Sequence, residues 1–190
     1  MEVTSELITK WFSAWTKDLL TNKAYLDELD TPIGDSDHGT NMARGAEAIQ
    51  NVLADNEGED VQKLMKKIAM AVLTKVSGAS GAIYGTAFLQ MSQKTELTDM
   101  IDSGVAGIQR RGQAELGDKT LLDVWIPAAD LLKEDTLTVS KIEQDVVSTK
   151  MMPAKKGRAK FVGDAAIGHI DPGAVSSGYL FKDLIKESNG

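Results

Sequence analysis

Asp30-Thr31-Pro32-Ile33-Gly34-Asp35-Ser36-Asp37-His38-Gly39-Thr40-Asn41 is the stretch around which the rest of the chain is organised. Three carboxylates, Asp30, Asp35 and Asp37, fall within eight residues; Gly34 and Gly39 loosen the local backbone, and Pro32 fixes part of it. Carboxylates this close repel one another at neutral pH unless a positive charge sits between them. An all-oxygen donor set suits a hard cation such as magnesium or calcium, not zinc. A helical pattern starts directly afterwards at Thr40, with Met42, Ala46, Ile49 and Leu53 on one face. Gly39, Thr40 and Asn41 would then offer free backbone N–H groups at a helix N-terminus, which favours an anion. A cation site joined to an anion site is the layout of a metal–phosphate or metal–nucleotide pocket.

Outward from this stretch the periodicity is helical almost everywhere. Leu7, Ile8, Trp11, Phe12, Trp15 and Leu19 mark a first amphipathic helix, with Thr4 as its cap and both tryptophans in the core. Asp60 caps a helix carrying Val61, Leu64, Met65, Ile68, Val72 and Val76. Met100, Ile101, Val105 and Ile108 form another, closed by Arg110-Arg111-Gly112. Gly117-Asp118-Lys119-Thr120 reads as a turn, followed by a helix from Leu121 that Pro127 kinks. Ser140 and Glu143 read as a capping box before Ile142, Val146 and Val147. Asp171-Pro172 starts the last helix, with Asp as cap and Pro at the first position. No stretch alternates as a strand does. The expectation is a single all-α domain spanning residues 1–190, with about eight helices.

Two segments break the pattern. Ser77-Gly78-Ala79-Ser80-Gly81-Ala82-Ile83-Tyr84-Gly85 is rich in small residues, which serve tight helix packing or close approach to a phosphate equally well. Residues 153 to 173 carry Lys155, Lys156, Arg158 and Lys160 and then Gly163, Gly168 and Gly173; a loop this long inside a compact domain belongs to a lid or binding loop, or else its charges are a solvated surface turn.

Composition narrows the chemistry. The chain has no cysteine, which excludes disulfides, zinc–thiolate sites, iron–sulfur clusters and a cysteine nucleophile. The net charge of -7 argues against nucleic acid as a partner, and no apolar run reaches the length of a membrane span, so a cytoplasmic protein is expected. A calcium EF-hand counted from Asp35 would need Gly and an acidic residue where Thr40 and Ala46 stand. Asp35-Ser36-Asp37 superficially resembles an aspartyl-phosphate nucleophile, but no buried strand precedes it. A glycosidase pair lacks a supporting sugar cleft, and no Walker lysine or Rossmann fingerprint is present. His38 beside the carboxylates reads as a phosphate contact or an orienting group, and His169 as part of its loop.

Gly34-Asp35-Ser36-Asp37-His38-Gly39, Gly78-Ala79-Ser80-Gly81, Gly117-Asp118-Lys119-Thr120, and Gly157-Arg158-Ala159 with Gly168-His169-Ile170-Asp171-Pro172-Gly173 together resemble the dihydroxyacetone kinase L family, from residue 1 to about residue 185. The chain is similar to one L module without the K module that carries dihydroxyacetone. The resemblance implies a barrel of eight antiparallel helices with a nucleotide at one rim. It implies a resident ADP, phosphorylated in place by the M subunit of the phosphotransferase system, with the phosphoryl group then passed to dihydroxyacetone on the K subunit. By matched position, Asp30, Asp35 and Asp37 would hold two Mg2+ ions, and His38, Gly39, Thr40 and Asn41 would lie on the phosphates. Ala79, Ser80, Gly112, Leu121, Arg158, Asp171, Pro172 and Gly173 would enclose the nucleotide. No general acid, base or nucleophile is implied, because phosphoryl transfer depends on positioning and charge neutralisation. Alternatives within the same resemblance are an L module that exchanges free ATP for an ATP-dependent kinase, and a nucleotide-bearing partner of a transcription regulator. A lipid-cavity module is a further rival for a helical barrel, and the sequence is compatible with a homodimer.

Overall fold

The computed structural model describes residues 1–189. Among these the regular structure is helical: α1 (Ser5–Thr21), α2 (Lys23–Asp30), α3 (His38–Ala54), α4 (Val61–Lys75), α5 (Gly78–Met91), α6 (Leu97–Gly112), α7 (Leu122–Lys133), α8 (Val139–Ser148) and α9 (Pro172–Ser188), with short 3-10 turns between α8 and α9. The only extended pairing among the described residues is a single bridge between Glu2 and Glu96. No helix of the described residues is long and apolar enough to cross a membrane.

Helix neighbours follow the chain and then close on themselves. α1 packs on α3, α3 on α4, and so on through α8 on α9, while α9 returns to α1. Eight helices therefore form a ring. α2 stands apart from that order and packs on α3 and α9. The ring is filled, not hollow. Trp11, Phe12 and Trp15 of α1, Phe88 of α5 and Trp125 of α7 are wholly buried. Phe12 meets Phe88 edge-on with ring centres 5.1 Å apart, and Trp125 meets Phe181 in the same way. Each indole N–H finds an acceptor on α9: Trp11 donates to the Leu180 carbonyl, Trp15 to the Ser176 carbonyl and Trp125 to the Ser177 hydroxyl. Burying these rings without partners for their N–H groups would forfeit part of what their area contributes.

The caps at Thr4, Asp60 and Asp171 are where the sequence puts them, accepting from the N–H groups of Leu7, Lys63 and Ala174. One expectation is corrected. The capping box at Ser140 and Glu143 is not formed: Thr138 is extended and accepts from the Lys141 N–H at 3.4 Å, so Val139 is already helical and Ser140 lies inside the first turn. The ring has its eight helices, but the chain has a ninth, the eight-residue α2, which carries too few turns for periodicity to show. α7 runs on through Pro127. In α5, small or apolar residues occupy nearly every side, so no single stripe marks it. The structure explains this: a Cβ at Gly81 would meet the Val76 carbonyl, and one at Gly85 would meet the Leu73 side chain. These two glycines serve packing against α4 and its end. Ala79 and Ser80, on another side, face a cavity.

Candidate metal–nucleotide site

The acidic stretch lies between α2 and α3 and is held from behind. One oxygen of the Asp30 carboxylate accepts from the N–H groups of Asp37 at 3.0 Å and His38 at 3.3 Å. Asp27, one turn earlier on α2, accepts from the Thr40 N–H and hydroxyl, both at 2.8 Å. Here the expectation of free N–H groups at this helix start is corrected. The Thr40 N–H is taken by the Asp27 carboxylate and that of Asn41 by the Asp37 carbonyl, and only the Gly39 N–H of the three lacks a partner among the described residues; Asp27 and Asp30 of α2 also complement the positive end of the α3 dipole. Asp27 was not legible because its partner lies thirteen residues away. Gly34 is needed for close approach: its N–H donates to the Asp30 carbonyl at 2.6 Å, and a Cβ there would strike the Asp30 carboxylate.

Asp30, Asp35 and Asp37 each offer an oxygen, and these oxygens lie within 4.8 Å of one another. Asp30 is buried and Asp35 exposed, with Asp37 between. Burial, together with the charges of Asp35 and Asp30, pushes the Asp37 carboxyl above its usual range, against a hydrogen bond with Asn41. Such a cluster repels itself as it stands. Three oxygen donors from carboxylates at this spacing fit a divalent hard cation, which would remove the repulsion.

These residues form one wall of a cavity of about 410 Å3. Asp30, Asp35, Asp37, His38 and Asn41 line it from one side, Ala79 and Ser80 from the start of α5, and Gly112 from the end of α6. Leu121, Arg158 and the Asp171-Pro172-Gly173 start of α9 complete it. Gly39 and Thr40 do not line it. They stand behind, Gly39 so tight against α2 that a Cβ would meet the Lys23 carbonyl. The cavity is also lined by the apolar residues Ile83, Ile108, Ala114 and Leu121, and by three cations that the sequence motifs contain but that the resemblance does not assign to the site, Arg111, Lys119 and Lys156. The lining thus combines charged and apolar residues, which suits a ligand with a phosphate chain and an aromatic base.

His38 is not a cation here. Burial drives its imidazole down to about 4. Its two nitrogens sit 3.0 Å from the Ser176 hydroxyl and 3.2 Å from the Ser80 hydroxyl, so it joins α3, α5 and α9. Tyr84 continues the network to Ser176, Ser177 and the Gly173 carbonyl. The starts of α3, α5 and α9, all of which line the cavity, are thereby tied together. His169, by contrast, is exposed, and its main chain does the anchoring.

The segment between α8 and α9 covers the acidic wall. Arg158 pairs with Asp35 at 3.1 Å. Ala154, Ala159 and Ala166 gather on Ile33 as a small apolar cluster separate from the main core. The 3-10 turns Arg158–Phe161 and Gly163–Ala166 give this long loop its only regular structure past residue 151.

A family model described as the DAK2 domain matches residues 32–186. The chain belongs to the DAK2 family. It is 40% identical to the "PTS-dependent dihydroxyacetone kinase, ADP-binding subunit DhaL" of Lactococcus lactis, over 97% of this chain and 98% of that one. It is also 40% identical to the "PEP-dependent dihydroxyacetone kinase 1, ADP-binding subunit DhaL" of Listeria innocua, over 93% of each. The dihydroxyacetone kinase of C. freundii, solved in complex with AMP-PNP and Mg2+, superposes with a TM-score of 0.81 at 21% identity, covering 98% of this chain and 34% of that one. That likeness shows the fold of this DAK2 chain, a helical module that in C. freundii is part of a longer polypeptide. The family places the chain among kinase subunits.

Proposed function

We propose that this chain is the ADP-carrying subunit of a dihydroxyacetone kinase that draws its phosphoryl group from phosphoenolpyruvate through the phosphotransferase system. The observation that carries the reading is the Asp30–Asp35–Asp37 cluster, with donor oxygens within 4.8 Å, on the wall of a cavity that is also lined by Ile83, Ile108 and Leu121. Bound ADP with Mg2+ would supply the site to which a phosphoryl group is delivered and from which it passes to dihydroxyacetone. The whole chain, residues 1–190, acts as one module on this reading, in the cytoplasm, with the K subunit and the phosphocarrier M subunit as partners.

The chain's own residues contribute position and charge. Asp30, Asp35 and Asp37 would hold two Mg2+ ions, with Asp30 oriented by the main chain at Asp37 and His38. Asn41 and Ser80 present hydrogen-bonding groups to the phosphates, and neutral His38 orients the Ser80 hydroxyl without adding charge. Arg158 and Lys156 of the lid bring the positive charge, and the lid limits water at the reacting end. Ala79, Gly112, Leu121 and Asp171-Pro172-Gly173 enclose the remainder of the nucleotide. No nucleophile or general base is required of the protein.

The test is direct. The purified chain is denatured and its supernatant assayed for ADP, and the native chain is added to phosphoenolpyruvate, the phosphocarrier proteins, a K subunit and dihydroxyacetone. Stoichiometric ADP and formation of dihydroxyacetone phosphate are expected. Rapid exchange of the nucleotide for added ATP, with activity independent of phosphoenolpyruvate, would favour the ATP-dependent kinase instead. A chain that neither carries nor binds ADP in the presence of Mg2+ would sink the proposal.

A further inference from the structure

Lys119 lies outside the acidic wall, in the turn Gly117-Asp118-Lys119-Thr120 between α6 and α7. It is 1% exposed, and among the described residues it is the one buried lysine. An ammonium group taken out of water is costly unless its donors are satisfied. Its Nζ donates to the carbonyl oxygens of Thr149 at 2.6 Å and His169 at 2.5 Å. These carbonyls lie at the two roots of the lid. The roots are further joined by the Gly168 N–H to the Lys150 carbonyl at 2.7 Å, and the Lys155 N–H reaches the Asp118 carbonyl at 3.2 Å. The Thr149 hydroxyl accepts from the Asp171 N–H at 3.1 Å, so the same node reaches the Asp171-Pro172-Gly173 wall.

The turn that presents Lys119 is itself fixed. The Asp123 carboxylate accepts from the N–H groups of Gly117 and Thr120, and Asp118 accepts from that of Glu115. Lys119 has a φ of 61°, in the left-handed region, which a side chain of its size adopts only where the surroundings impose it. The constraint is well matched to its result, a buried cation aimed at two main-chain oxygens twenty residues apart in sequence.

We propose that Lys119 is the positioning residue that clasps both roots of the lid and, through Thr149, sets the α9 wall of the cavity, and that this clasp governs how long a nucleotide stays bound. The retention half rests on the nucleotide reading of the cavity; the clasp itself does not.

Full-length wild-type, Lys119→Met, Thr149→Val and Thr149→Ser proteins are compared. Methionine keeps the length and volume of the stem and removes the donors. Valine removes the hydroxyl that holds Asp171, and serine keeps it. The first measurement, without ligand, is tryptic cleavage of the lid at Lys155, Lys156, Arg158 and Lys160. The second is the dissociation rate of a fluorescent ADP analogue bound with Mg2+, below every variant's melting transition. For Lys119→Met, lid cleavage and nucleotide release should each be roughly tenfold faster or more, given two lost hydrogen bonds from a charged donor. Thr149→Val should show a smaller rise in both, and Thr149→Ser should restore wild-type rates. If Lys119→Met does not fold, Lys119→Gln, which keeps amide donors on a shorter stem and removes the charge, is measured in its place with the same expected rises, and the valine and serine pair judges the Thr149–Asp171 link. A lower melting temperature with wild-type cleavage and release rates would make Lys119 merely structural and overturn the proposal, as would faster cleavage with unchanged release. A wild-type chain that fails to bind the analogue would overturn the nucleotide reading and the retention half, while the cleavage measurement would still judge the clasp.

Discussion

The acidic wall of the cavity is held by carboxylates bonded to main-chain N–H groups, with Asp27 and Asp30 fixing the start of α3 and His38 tied to Ser176 and Ser80. The lid opposite meets it through one ion pair, Arg158 to Asp35, and a patch of three alanines on Ile33, while Phe161 at its apex is 80% exposed. One wall is continuous with the buried core. The other is fastened at its roots and lightly seated elsewhere. Local opening free energies follow buried contacts and protected hydrogen bonds, so the lid should open far more often than the acidic wall. On the proposed reading, a site built this way would keep Asp30, Asp35 and Asp37 in register while the cover moves to admit ligand.

The sharpest way to break this contrast is Asp37→Ala. Losing one oxygen of the cluster should cost roughly a hundredfold or more in phosphoryl transfer, which is sensitive to small errors of position. Bound ADP should be lost as well, and treatment of the wild type with a chelator should release it. Stability of the ligand-free chain should not fall, because a carboxyl pushed up by its neighbours has been removed. Titration of Mg2+ and ADP calorimetrically, beside a thermal melt, checks all three; wild-type affinity for ADP would defeat the metal assignment.

Next in size is the pH response of the rigid wall. His38 is held at about 4 when folded against an ordinary 6.5 when unfolded, so the unfolded chain takes up its proton first as pH falls. The stability from its neutral form is complete above pH 6.5 and is lost between about pH 6.5 and pH 4. Relative to His38→Gln, the wild type should lose about 2 kcal/mol between pH 7 and pH 5 in urea unfolding. Asp171 acts with the opposite sign. Burial raises its carboxyl to about 7, against the Ala174 N–H and the Lys119 charge, so its contribution grows as pH falls below 7 and is lost as pH rises through it. Reading His38 as a difference from its own variant separates the two.

Asp27→Ala should cost about 1–2 kcal/mol, the range of a lost helix cap, with the unfolding midpoint as the measure. An unchanged midpoint would mean that α3 does not need its partner on α2. Smallest on stability is Arg158→Ala. Its side chain is 64% exposed, so the pair with Asp35 should contribute under about 0.5 kcal/mol to folding, while ADP affinity falls severalfold. A large stability loss there would mean that the lid belongs to the folding core after all.

Local signals carried the sequence reading, and only those. Helices with a strong apolar stripe and a cap three residues from its partner, such as α1, α4 and α9, were legible end to end. So was the acidic cluster, because its members are neighbours in the chain. α2 was too short to show a period, and α5 packs on too many sides to show a stripe. Asp27 and Lys119 escaped for another reason: their partners are thirteen and at least thirty residues away, and nothing in the surrounding pattern announces a long-range hydrogen bond. The assignment of Gly39 and Thr40 to the phosphates followed from their position at a helix start, whereas both residues stand behind the lining.

Closure of the helix ring has one more consequence. The N–H of Leu97 bonds the Met1 carbonyl and the amino terminus pairs with Glu96, while Leu97, Leu184 and Asn189 border one small cavity. Both ends of the described chain therefore meet beside the start of α6, whereas the end of α6 opens on the nucleotide-sized cavity. Any polypeptide spliced to either end would leave from the far side of the molecule. The ring has the geometry of a cartridge: further polypeptide at either end would leave its mouth open, and the C. freundii chain that shares this fold over 34% of its length is the longer one.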